Sequence, residues 1–229
     1  MKGTDMIGIA IDGPSGAGKS TIAKALAKEF GYIYVDTGAI YRTVGLYMQR
    51  NGISTEDKEG IENNLDKVKV ELKYVDGEQR MFLCGEDVSD FIRTPLIAKY
   101  ASVVSAVPKV RAFLFEMQRS LARENNVIMD GRDIGTVILP DADVKIFLTA
   151  SAEARAERRV AQLKEKGEIV AYEDILASIK ERDERDSGRD VAPLKAADDA
   201  ILLDSSAYTL EESIAAAKNI VIEKLSKSE

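Results

Sequence analysis

Eight consecutive residues, Gly13, Pro14, Ser15, Gly16, Ala17, Gly18, Lys19 and Ser20, match the pattern G-x-x-x-x-G-K-[ST]. Those types in that order suit one task, holding a polyphosphate. The glycines let the backbone fold around phosphate oxygens so that several N–H groups converge on them. A helix starting behind the loop adds the positive end of its dipole. Lys19 can reach the β- and γ-phosphates, Ser20 can ligate Mg²⁺, and Thr21 belongs to the same triphosphate site. At average residue frequencies, a chain of this size shows the pattern by accident roughly once in a hundred cases. The flanks lower that further. An apolar run at 6–11 leads in, and Ile22, Ala23, Leu26, Ala27 and Phe30 recur on one helical face until Gly31. The chain is expected to bind a nucleoside triphosphate with Mg²⁺.

Further along, Asp36-Thr37-Gly38 precedes a helical pattern that carries Arg42 in its first turns. Taken alone, this is a helix cap followed by a surface arginine. Beside a phosphate loop it is a candidate second anion site. Met129-Asp130-Gly131-Arg132-Asp133 ends another apolar run. Asp130 stands where a phosphate-loop enzyme keeps the carboxylate that holds Mg²⁺, directly or through water. Gly131 permits a tight turn that leaves Arg132 and Asp133 over the sheet's edge. Between Lys180 and Arg189, Arg182, Arg185 and Asp186 share a helix face, which alone reads as a charged face of mutually paired side chains. The Ser187-Gly188 break weighs against that, since it ends the helix just where Arg189 could turn toward a phosphate. Arg155, Arg158 and Arg159 are either a solvated stripe or a lid that closes over the triphosphate and neutralises developing charge.

These residues need a scaffold, and the periodicity describes one. Short runs rich in Ile, Val and Leu at 6–11, 32–35, 127–129, 144–148 and 200–203 read as strands buried on both faces. Helical patterns occupy 20–30, 39–50, 109–124, 152–166, 173–186 and 210–225. The alternation predicts an α/β fold with a five-stranded parallel sheet and ligands at the carboxyl ends of its strands. One stretch departs from it. Val68, Val70, Leu72 and Tyr74 alternate with charged residues, Asp76-Gly77 makes a turn, and 79–84 returns. Residues 60–100 are therefore expected to form an inserted antiparallel hairpin subdomain. The core is expected at 1–59, 101–150 and 191–229, with a helical lid at 151–190 and a polar end at 226–229.

Composition narrows the function. The 229 residues carry a net charge of −7, which argues against non-specific binding to nucleic acid or membrane surfaces. Basic residues concentrated at 155–189 suggest a small anionic ligand instead. A single cysteine gives no disulfide framework, and no signal peptide or membrane span is visible, so a cytoplasmic location is expected. The chain is expected to act as a monomer. The chain has no histidine. That removes Ser-His-Asp and Cys-His nucleophilic catalysis and His-based metal sites. Phosphoryl transfer survives the exclusion, because it runs on positioning and on charge supplied by Lys, Arg and Mg²⁺.

Taken in order, the segments resemble the bacterial cytidylate kinases of the nucleoside monophosphate kinase family. The likeness rests on I-D-G-P-S-G-A-G-K-S at 11–20, D-T-G-A-I-Y-R at 36–42, D-G-R-D-I-G-T-V at 130–137 and K-E-R-D-E-R-D at 180–186, and on the enlarged insertion. It implies a phosphate-loop kinase that transfers the ATP γ-phosphoryl group to CMP or dCMP. Lys19, Asp130, Arg132 and Arg158 would carry catalysis, with Arg155 and Arg159 on the donor. Arg42, Arg132 and Arg189 would hold the acceptor phosphate. Ser102, Arg111 and Asp133 would read cytosine, while Tyr41, Arg182 and Asp186 would frame the sugar, with Thr37 in the same acceptor pocket. A carboxylate does accept from the exocyclic amine of cytosine, whereas uracil presents a carbonyl there. Ser20 replaces the glycine of some members, which leaves its direct contact with Mg²⁺ open. Other classes fit less well. A GTPase-type switch needs an N-K-x-D element that the chain lacks, a small-metabolite kinase does not need so many arginines, and a non-catalytic phosphate-loop protein leaves Asp130 unexplained.

Overall fold

The structure, a computed structural model, describes residues 6–227. Of the expected polar end, 228 and 229 lie outside the described residues, as do 1–5. In chain order the elements begin β1 (Gly8–Asp12), α1 (Lys19–Phe30), β2 (Ile33–Asp36), α2 (Thr37–Arg50), α3 (Lys58–Asn63), β3 (Val70–Val75), β4 (Glu78–Leu83) and β5 (Glu86–Asp87). They continue with α4 (Pro95–Val104), α5 (Pro108–Glu124), β6 (Val127–Gly131), β7 (Val144–Thr149), α6 (Ala152–Glu165), α7 (Tyr172–Ser187), β8 (Ile201–Asp204) and α8 (Leu210–Ser226). Two compact units result. Of the described residues, one comprises those up to Tyr34 and from Ala122 onward, and the other is Val35–Leu121.

The first unit is built on the five-stranded sheet that the apolar runs predict, and its strand order is β2-β6-β1-β7-β8. β1 is central and pairs in parallel with β6 and β7, so that Asp12 aligns with Gly131 on one side and Phe147 on the other. Ile9 and Ile11 of β1 join Ile22 and Leu26 of α1, Ile128, Ile146, Leu148 and Val221 in one core cluster. Full burial of each such side chain contributes about 1.5–3 kcal/mol. The core therefore fixes the carboxyl ends of β1 and β6, where Gly13 and Asp130 stand. Gly31 ends α1 in the left-handed region, as its position predicts.

The second unit holds the antiparallel hairpin. β3 and β4 pair from Val70↔Leu83 to Val75↔Glu78, and β5 adds a short third strand. Val70, Met81 and Leu83 are buried while Glu71 and Lys73 ion-pair at the surface, so the period-two pattern is realised with one wet face. α3 and α4 go beyond the expected elements. α4 opens with Thr94 as cap, its Oγ1 accepting from Ile97 N, and with Pro95 at the first turn. α2 begins two residues earlier than its apolar pattern, because Asp36 caps it by accepting from Ala39 N at 2.8 Å.

Candidate active site

Gly13, Gly16 and Gly18 all have positive φ. At Gly13 a Cβ would sit 1.9 Å from the Leu148 carbonyl oxygen, so only glycine can carry the loop away from β1. α1 then starts at Lys19 with Gly18 as its cap and no side-chain oxygen on its first N–H groups. An uncapped amino end of a twelve-residue helix is an anion receptor.

Lys19 is buried, and its ammonium donates to the Pro14 carbonyl at 2.7 Å. Burial lowers its pKa to about 7, with the nearby Arg132 guanidinium pushing the same way and Asp130 and Asp12 opposing. The exposed Ser20 hydroxyl donates to Asp130 Oδ2 at 2.7 Å, and Tyr34 donates to Asp130 Oδ1 at 3.1 Å. Lys19, Ser20 and Asp130 are thus assembled by α1 and β6. Hydroxyl and carboxylate oxygens are the donors Mg²⁺ takes, with substrate phosphates completing its shell.

Asp186 is buried and bridges two arginines, accepting from Arg132 Nε at 2.9 Å and from Arg189 Nη2 at 2.5 Å. Burial alone would raise its pKa, but the two guanidiniums outweigh it and hold the carboxyl below its ordinary range. The Gly188 break that ends α7 places Arg189 there. Arg185, on the same helical run, pairs with Glu181 at the surface. Arg182 is half-buried beside this group.

The three arginines of α6 have three different fates. Arg155, 4% exposed, donates to the Ala150 and Ser15 carbonyls and bidentately to Asp183 at 3.0 and 2.5 Å. It ties the phosphate loop to the helices that follow β7. Arg158 donates to the Ser205 and Tyr208 carbonyls. Arg159 is exposed, as are Ser20 and Thr21.

In the second unit Asp36 repeats the motif of one carboxylate between two arginines. Its Oδ2 accepts from Arg42 at 2.7 Å and from Arg93 at 3.3 Å. Gln79 of β4 clasps the Asp36 main chain, accepting from its N–H at 2.7 Å and donating to its carbonyl. Arg111 donates to the Ser105 carbonyl and lies 5.8 Å from the centre of the Tyr41 ring. Thr37 and Tyr41 are buried. Arg42 Nε and Ser102 Oγ are buried with no hydrogen-bond partner, a state a bound ligand would relieve.

Sequence spacing missed Asp12, Tyr34, Gln79, Arg93 and Asp183, each of which acts on a partner far away in the chain. Asp12 had one readable signal, a carboxylate directly between an apolar strand and the loop's first glycine. It is 4% exposed, and burial raises its pKa to about 6, with two backbone N–H bonds opposing, Asp133 adding and Lys19 opposing. Raised above its unfolded value, this pKa makes the folded state take up the extra proton between roughly pH 4 and 6, so the stabilisation is lost as pH rises through 6. Measured by urea midpoints, wild type should therefore gain on Asp12→Asn as pH falls from 7 to 4. A pH-independent gap between the two would refute the assignment.

A family model described as "Cytidylate kinase" matches residues 9–223. The chain is 53% identical over 206 residues to a cytidylate kinase of Caldicellulosiruptor bescii, which covers 90% of this chain and 91% of that one. It is 55% identical over 204 residues to a cytidylate kinase of Caldanaerobacter subterraneus subsp. tengcongensis, covering 89% of each. A third, from Geobacter sulfurreducens, is 48% identical over 216 residues, covering 94% of this chain and 93% of its own.

Proposed function

As a member of the cytidylate kinase family, this chain is a phosphotransferase acting on CMP, and we propose that it moves the γ-phosphoryl group of ATP onto CMP or dCMP, giving ADP and CDP or dCDP. The observation that carries the reading is the uncapped start of α1 behind three left-handed glycines, with Lys19 buried beside the Ser20–Asp130 pair.

On this reading the loop N–H groups seat the β- and γ-phosphates, and Lys19 exchanges the Pro14 carbonyl for a phosphate oxygen as charge develops on the migrating group. Ser20 and Asp130 would hold Mg²⁺, directly or through water. When bound, the ion would neutralise charge across the β- and γ-oxygens. The acceptor oxygen of CMP is already anionic, so the reaction needs no general base, and the absence of histidine costs nothing. Arg42, Arg132 and Arg189 hold the acceptor phosphate by releasing the carboxylates that now occupy them. Ser102, Arg111 and Asp133 read the base, and Thr37, Tyr41, Arg182 and Asp186 complete the acceptor pocket. Arg132 and Arg158 stabilise the transferring group, with Arg155 and Arg159 on the donor side. For Arg158 this means leaving the carbonyls it now binds.

Residues 60–100 serve the reading as the acceptor insertion and 151–190 as a lid. The protein would work as a cytoplasmic monomer, without a nucleic-acid or membrane partner. The net charge of −7 speaks against a polyanionic partner, and the single cysteine suits a reducing compartment. Among the described residues no helix is long and apolar enough to cross a membrane. An acceptor panel with ATP and Mg²⁺ tests the proposal. ADP should form at a rate set by added CMP or dCMP. ADP release unaffected by any nucleoside monophosphate would overturn it.

A further inference from the structure

We propose that Asp12 is a positioning residue for acceptor recognition, locking the turn after β6 so that Asp133 faces the acceptor base in one orientation. The inference rests on the reading of Asp133 as a cytosine contact and gives a role to a residue that the sequence motifs leave without one.

Asp12 is a fixed post. It ends the central strand β1, is paired on both sides, and is followed by Gly13, whose missing Cβ is replaced by the Leu148 carbonyl. From there its Oδ1 accepts from Ile134 N at 2.8 Å and its Oδ2 from Gly135 N at 2.7 Å. These N–H groups open a single π-helical turn, Ile134–Ile138. The carbonyl of Asp133 in turn accepts from Val137 N at 2.9 Å and Ile138 N at 3.2 Å. The carbonyl of Asp133 and the N–H of Ile134 belong to one planar peptide group. That group is held at both ends, which anchors the Cα–C side of Asp133, where φ is −146° and ψ 26°, and so the point from which its side chain departs.

The fit leaves no slack. A Cβ on Gly135 would lie 3.1 Å from Lys145 Cδ and 3.4 Å from Asp12 Oδ2. Two converging N–H donors need two acceptor oxygens, which a carboxylate has and an amide lacks. The same residue therefore roots the donor loop through its main chain and orients the acceptor turn through its side chain.

The test compares kcat/KM for CMP and UMP, with KM for ATP, in wild type, D12N, G135A and D133A. A misplacement on the scale of an ångström costs up to about 100-fold, so D12N should lower the CMP-to-UMP ratio roughly 10-fold or more while KM for ATP moves less than about threefold. A D12N enzyme that loses CMP and UMP activity in equal measure makes Asp12 a structural residue only and overturns the proposal. If D12N does not fold, G135A shifts the same turn with Asp12 intact. It should lower the ratio too, and an unchanged ratio there is equally fatal. D133A separates the two ideas. A ratio that collapses in D133A but survives in D12N and G135A removes Asp12 alone, whereas a ratio that survives in D133A removes the cytosine reading and this proposal with it.

Discussion

Lys19→Ala should lower CMP phosphorylation by at least 10²–10³, about what the loss of one preorganised electrostatic donor costs. The side chain is buried and its ammonium is spent on a single carbonyl. Burial is also what lowers its pKa, which makes the charge expensive in the empty protein and valuable only once phosphate oxygens surround it. Removing it should leave the fold intact, since a desolvated cation contributes little to stability. Thermal melts alongside the kinetics would show a defect in rate without a defect in folding. Lys19→Arg should rescue poorly, because a planar fork does not replace a compact charge on a four-carbon stem. Activity above a tenth of wild type in the alanine variant would take Lys19 out of the mechanism.

The other large effect belongs to specificity. Asp133→Ala should lower kcat/KM for CMP steeply and barely change it for UMP, because a site built to hydrogen-bond one edge can discriminate by up to about 10⁴–10⁵. Asp133 is buried, and the π-helical turn it precedes is held by its main-chain carbonyl and by Asp12, with no capping bond from its own side chain. Truncation therefore removes the carboxylate and spares the turn. Arg42→Ala supplies the contrast. On the proposed reading it removes a contact to a phosphate that every acceptor has, so CMP and UMP should suffer alike. An intact CMP-to-UMP ratio in Asp133→Ala would end the cytosine assignment.

The core was legible in the sequence because it obeys local rules. Strands buried on both faces are short apolar runs, and the phosphate loop announces itself through glycines at positive φ, one of which, Gly13, has no room for a Cβ. The hairpin is readable for the opposite reason, one wet face imposing a period of two. What sequence could not give is the partnering of side chains far apart in the chain. Gln79 clasps Asp36 across 43 positions, and Asp12 reaches Ile134 across 122. The α6 arginines make the point most sharply. Arg155, Arg158 and Arg159 look alike in a charged run, yet one is buried against the phosphate loop, one holds carbonyls after β8 and one is exposed. α4 was signalled by Thr94-Pro95 but masked by its place at the end of the hairpin segment. Arg42 and Arg189 are readable as anion-site candidates in their own segments, whereas Ser102 and Arg111 rest on the resemblance alone.

Each unit seats one carboxylate between two arginines, Asp186 between Arg132 and Arg189 and Asp36 between Arg42 and Arg93. On the proposed reading, an incoming phosphate has to evict a resident ion before it can bind. Free orthophosphate brings only its own charge to that contest and gains little beyond the exchange. An acceptor that also carries a base and a sugar brings additional contacts, and these tip the balance. The resident carboxylates would then keep the empty enzyme from being poisoned by the commonest anions of its surroundings. They would also help expel the product, because they stand ready to retake the arginines as soon as its grip loosens.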